Sequence, residues 1–131
     1  MRAALAGLLI ISGQALACGY CVEDKIAATY DHAVVTKAFA AKHHVAFLHV
    51  DGLATDRKVL ERAIYSVPSV DRGTVRVSAD LLTVSFAYDP ARETLGAIHA
   101  RIEKRLAQQK LSLMPFQVME RPDDLKMVKA R

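Results

Sequence analysis

Thiols are nearly missing from this chain: of 131 residues, only Cys18 and Cys21 carry one. A lone CxxC closes too short a loop to remove much unfolded-state entropy, so this pair does not staple a fold. It reads instead as reactive or metal-binding. Aromatic residues are also few, at 6%, and no arginine-rich run accompanies them. A formal charge of +4 spread along the chain therefore leaves no nucleic-acid footprint. Arg101, Lys104 and Arg105 read as a solvated helix face. No apolar run reaches the roughly 20 residues that a membrane span needs. Internal repeats and low-complexity tracts are lacking. So are a nucleophile motif and a glycine-rich phosphate loop, which leaves no enzyme constellation.

What is present begins with the front end. Arg2 is a short positive region and Ala3–Ile11 an uncharged apolar one. Ser12, Gly13 and Gln14 break it, and Ala15-Leu16-Ala17 supplies a small-x-small cleavage site. Residues 1–17 thus read as a secretory signal. Removing 17 of 131 residues leaves 114, with Cys18 first. The expected location is periplasmic or secreted, an oxidising setting in which paired thiols can rest as a disulfide. Lipid anchoring at Cys18 is the weaker reading. Bacterial lipoproteins usually carry Leu three residues before the cysteine, where this chain has Ala15, with Leu16 one place late.

Behind the cysteines, Val22–Lys42 has helical periodicity, with Glu23 and Asp24 in the first turn, where the helix dipole favours negative charge. "VAFLHVD", Val45–Asp51, reads as a strand. Thr55 or Asp56 can cap a helix whose stripe is Val59, Leu60, Ala63, Ile64 and Val67, and Pro68 ends it. After Gly73, "TVRVS" and "LTVSFAYD" alternate as a hairpin, with Leu82, Val84, Phe86 and Tyr88 on one face. Asp89-Pro90 predicts the next helix start, with Leu95, Ile98, Ile102 and Leu106 facing inward. Ser112–Met119 is a last strand, confined to a sheet edge by Pro115. Residues 122–131 read as a loose polar tail.

The expected class is α+β. A ferredoxin-like βαββαβ antiparallel sheet over residues 45–121 is preceded, at 18–44, by the CxxC motif and an extra N-terminal helix. Both sheet helices lie on one face. The unmatched apolar side of the extra helix suits the other.

Three motifs carry a family likeness: Val50-Asp51-Gly52-Leu53, Leu60-Glu61-Arg62-Ala63-Ile64 and Tyr88-Asp89-Pro90. From about His49 to Val118 the chain resembles a heavy-metal-associated domain, the module of copper chaperones, metal-pumping ATPases and the periplasmic mercury scavenger. The resemblance implies a ferredoxin-like fold and soft-metal binding, with a membrane transporter or another metal-handling protein as partner. Such domains hold their metal in a G-M-x-C-x-x-C loop. Here that loop is "LATDRK", with Thr55 and Lys58 at the ligand positions, and neither is a soft donor. The thiols stand elsewhere, at Cys18 and Cys21.

Soft thiolates select Cu(I), Hg(II) or Zn(II). Two of them suit two-coordinate Cu(I) or Hg(II), whereas zinc needs four ligands. Gly19 lets the backbone between the thiols bend, and the following helix N-terminus favours thiolate over thiol. His43 and His44 stand about 30 Å away along a straight helix and read as its C-terminal cap. His32 is also too far along. His49 joins the metal ligands Cys18 and Cys21 only if the N-terminal helix folds across the sheet. Met114 and Met119 read as edge and core packing. Two other functions fit the same residues. One is thiol–disulfide exchange, although neither a strand precedes the motif nor does Pro68 or Pro115 supply a thioredoxin-type context. The other is a non-metal interaction module of the same fold.

Overall fold

The computed structural model describes residues 22–52, 56–80 and 82–125. Its elements are α1 (Val22–Thr29), α2 (His32–Ala40), β1 (His44–Asp51), α3 (Arg57–Tyr65), β2 (Arg76–Ser78), β3 (Thr83–Tyr88), α4 (Leu95–Leu106) and β4 (Ser112–Met119). The four strands form one sheet in the order β2-β3-β1-β4, every pair antiparallel. From β1 onward this is the expected ferredoxin-like arrangement. The signal peptide expected at residues 1–17 lies outside the described residues.

Alternation along β1 explains how the sheet serves two layers. Ala46, Leu48 and Val50 face α3 and α4, joining Leu60, Ile64, Phe86, Ile98, Ile102 and Leu106 in the larger core. Val45 and Phe47 face the other way, where Ile26, Val35, Ala38, Ala87 and Met119 close a second core. The N-terminal helical segment therefore covers the sheet face that the βαββαβ unit leaves open. An eight-residue helix such as α1 is marginal alone, so tertiary burial must hold it. Ile26 and Phe47 are fully buried, each contributing roughly 1.5–3 kcal/mol.

Several local expectations change. The helix expected over Val22–Lys42 is two helices, broken at Tyr30-Asp31. Asp31 has extended backbone, and its carboxylate accepts from the N–H groups of Ala33 and Val34 at 3.0 and 3.3 Å. It is therefore a new N-cap rather than a mid-helix residue. At the other end of α2, Lys42 takes a left-handed conformation (φ 60°). The N–H of His43 then reaches Ala38 O at 2.8 Å and that of Lys42 reaches Phe39 O at 3.0 Å, a Schellman closure.

The hairpin strand starts at Arg76 rather than Thr74. The Thr74 hydroxyl donates to Asp71 O at 2.6 Å and accepts from the Ala87 N–H at 3.1 Å, so a side chain replaces the ladder there. Leu82, expected in the buried row of β3, has φ 47° and is exposed; the row runs Val84, Phe86, Tyr88. Asp89 accepts from the Ala91 N–H and closes a separate turn, while Thr94 caps α4 by accepting from Ala97. β4 is an edge strand, as Pro115 requires, and its register shifts opposite Phe47/Leu48 so that Phe116 bulges out of the ladder. Residues Pro122–Leu125, expected to be loose, form a 3₁₀ turn in which Asp124 accepts from the N–H groups of Glu120 and Arg121.

Candidate metal centre

The Val50-Asp51-Gly52 stretch stands at the C-terminal end of β1. Gly52 ends the strand with φ 137°, a conformation L side chains rarely adopt. A Cβ there would lie 2.7 Å from Lys110 O and 2.8 Å from a Leu111 methyl. Glycine is required both by the backbone angle and by the close approach of the α4–β4 connection. Of the expected ligand-loop positions, Thr55 lies outside the described residues. Lys58 sits exposed in the first turn of α3, its N–H donating to the Asp56 cap at 2.9 Å. The choice between Thr55 and Asp56 as cap is thereby decided for Asp56.

His49 is on the second-core face of β1, between Thr83 of β3 and Met114 of β4 in the ladder. Lys25 Nζ lies 3.5 Å from His49 Nδ1 and 6.0 Å from the centre of the Phe116 ring. Four residues later, Thr29 O accepts from the Ser85 hydroxyl at 3.2 Å. Thr83 and Ser85 lie opposite His49 and Phe47 respectively. Helix α1 therefore runs from the C-terminal end of β1 back toward its middle, and its first turn is at the Gly52 end. The condition set for His49, that the N-terminal helix fold across the sheet, is met. Val22, Leu82 and Met114 are exposed, Met114 by 65%. Leu82 joins the same end of the sheet, since its carbonyl accepts from the Val50 N–H at 2.7 Å.

Cys18 and Cys21, the candidate metal ligands, lie outside the described residues, which begin at Val22. Among the described residues, no three His, Cys, Asp or Glu side chains come together in a way that could hold a metal ion. The other histidines are engaged elsewhere. His43 Nδ1 is 2.7 Å from Asp71 Oδ2, and its Nε2 is 3.7 Å from Asp89 Oδ2. His44 meets Tyr88 edge-on, ring centres 5.7 Å apart. The side chains of the His43-His44 pair thus do not cap α2; only the His43 backbone does. His32 contacts Tyr30 and Thr36, and His99 lies against Leu113 O and Glu103. Met119 is core, as expected, but Met114 packs into nothing comparable.

Charge is organised at the helix break. The Val34 N–H, then the Arg76 guanidinium, hold the Asp31 carboxyl below the usual carboxylate range. Arg76 Nη2 is 3.0 Å from Asp31 Oδ2. Burial raises the phenols of Tyr30 and Tyr88 above the ordinary value, with Asp31 and Glu120 respectively adding to the effect. A groove of about 440 Å³ lies on the opposite layer, against Ser66, Val67, Arg101, Lys104 and Arg105. Its basic lining repels a metal cation. No described helix is long and apolar enough to cross a membrane.

Sequence reasoning missed Lys25 and Met114 at this end, and the Asp31–Arg76 pair. The Asp31 cap had a signal, an aspartate just ahead of a fresh apolar run. The His49–Met114 pairing had none, because it depends on the β1–β4 register.

No family model matches the chain, and no curated protein sequence does. Solved structures do. The N-terminal domain of PacS from Synechocystis PCC6803 is 17% identical, with 56% of this chain and 97% of that one covered and a TM-score of 0.44. The N-terminal domain of a potential copper-translocating P-type ATPase from Bacillus subtilis, in the Cu(I)-loaded state, is 16% identical over 60% and 94%, with a TM-score of 0.47. The N-terminal domain of ZntA in the apo form is 18% identical over 57% and 94%, with a TM-score of 0.43.

Proposed function

We propose that this is an exported protein that captures a soft metal ion, Cu(I) or Hg(II) in preference to Zn(II), with Cys18 and Cys21 as its ligands. The observation that carries the reading is the direction of α1. The first turn of α1 lies at the His49 end of the sheet. Cys18 and Cys21 directly precede this helix in the sequence. The positive end of α1 favours thiolates, and Glu23 and Asp24 favour a cation held by them. Paired thiolates satisfy a two-coordinate ion without further ligands. Transfer then proceeds by thiolate exchange with a membrane transporter or another metal-handling protein, the ferredoxin-like body serving as the docking surface. Export through the segment 1–17, with cleavage after Ala17, belongs to the same proposal.

Native mass spectrometry of the reduced protein with Cu(I), Hg(II) and Zn(II) tests this. One ion of Cu(I) or Hg(II) per chain is expected, lost in Cys18→Ser/Cys21→Ser. Equal uptake by that variant, or none by the parent protein, refutes it.

A further inference from the structure

We propose that the seam between α3 and α4 docks an acidic, partly apolar segment of a partner protein, a function independent of the metal reading. Two hollows lie along this seam. One, of about 440 Å³, is lined by Ser66, Val67, Arg101, Lys104 and Arg105. The other, of about 170 Å³, is lined by Val59, Arg62, Ala63, Leu106 and Gln109 and shares Arg105 with the first. Ala63, Val67 and Leu106 belong to the larger core, so the floor of the seam is apolar. Arg62, Arg101, Lys104 and Arg105 are exposed along its rim.

Folding does not account for that rim. Arg101, Lys104 and Arg105 stand at i, i+3 and i+4 on one helix, a spacing that brings side chains together, and like charges so placed repel. The carboxylates of both helices are engaged elsewhere. Glu61 pairs with Arg57 at 2.8 Å, and Glu103 accepts from the Ser112 hydroxyl and the Leu113 N–H. Glu93 holds only Arg101, at 2.9 Å, and its other oxygen accepts from the Ser69 hydroxyl. The ion pairs among the described residues include none of Arg62, Lys104 and Arg105. Uncompensated cations around an apolar floor complement carboxylates on a chain that also presents apolar side chains. A free phosphate would use the cations and leave the floor open. A flat bilayer surface would meet the rim without entering the hollows.

The probe is a labelled amphipathic peptide, Glu-rich with Leu at every third or fourth position. It is titrated against the full chain by fluorescence anisotropy at physiological ionic strength. Binding that weakens with added salt is expected, with amide NMR shifts confined to α3 and α4. Lys104→Glu/Arg105→Glu is expected to weaken binding at least about ten-fold. Lys104→Gln/Arg105→Gln, which puts no negative charge in the last turn of α4, should also weaken it while keeping the parental unfolding midpoint. Lys37→Glu/Arg72→Glu reverses two cations on the α2 side and should bind as the parent does. Cys18→Ser/Cys21→Ser should do the same, which separates this test from that of the metal site; a loss there overturns the independence. No binding by the parent overturns the proposal. So does parental affinity in both seam variants, or equal weakening in Lys37→Glu/Arg72→Glu. Competition by inorganic pyrophosphate at the peptide's own concentration, or preference for phosphatidylglycerol vesicles over the peptide, overturns it in favour of another anion.

Discussion

Gly52 shows how one residue shapes the candidate site. Its φ of 137° and the 2.7 Å approach to Lys110 O leave no space for a methyl group. Gly52→Ala is expected to cost more than about 1 kcal/mol in urea unfolding, because the substitution strains the backbone and pushes the α4–β4 connection outward. A parental midpoint would contradict that account. Gly73, with φ 76° and open space around it, should tolerate alanine better sterically but not conformationally. The histidines make the complementary point. His43 was legible as a residue ending a helix, but not as one facing Asp71 and Asp89. Both aspartates come from segments at least 28 positions away in sequence, and no local pattern encodes such a pairing.

Among the elements, the break at Asp31 decides what the N-terminal segment can do. A single straight helix would project its ends about 30 Å apart. Two helices joined at a cap fold over the sheet, fill the second core and aim α1 toward His49. The periodicity of Val22–Lys42 continues across Tyr30-Asp31, which is why it reads as one helix. The competing signal, an Asx cap reinforced by Arg76 of β2, needs the tertiary partner to win.

Asp31→Ala is expected to cost about 1–2 kcal/mol at neutral pH. The pH dependence follows from the direction of the shift. The carboxyl is held below its unfolded value, so its contribution is complete above roughly pH 4 and is lost as pH falls through the folded value. Urea unfolding at pH 7 and at about pH 3 should therefore show a stability gap between parent and Asp31→Ala that narrows in acid. A gap of constant size would contradict the role assigned to the ionised carboxylate.

For the whole molecule, the sheet was legible because each strand carries an alternating apolar face and each turn its own residue chemistry. Val45–Asp51 and Ser112–Met119 were placed to within a residue. The two-sided core was legible in part: the apolar stripe of the N-terminal segment implied a cover, while Val35, Ala38 and Met119 meeting on Phe47 required the fold. The surroundings of His49 were less legible, since they depend on the β1–β4 register and on how α1 docks, which no spacing states. The proposal that draws on these scales is capture of a soft metal ion by Cys18 and Cys21.

X-ray absorption at the copper edge of the protein loaded with one equivalent of Cu(I) tests that claim most directly. A first shell dominated by sulfur, abolished in Cys18→Ser/Cys21→Ser, is the result the account predicts. A shell of nitrogen and oxygen alone, or one unchanged in that variant, would contradict it.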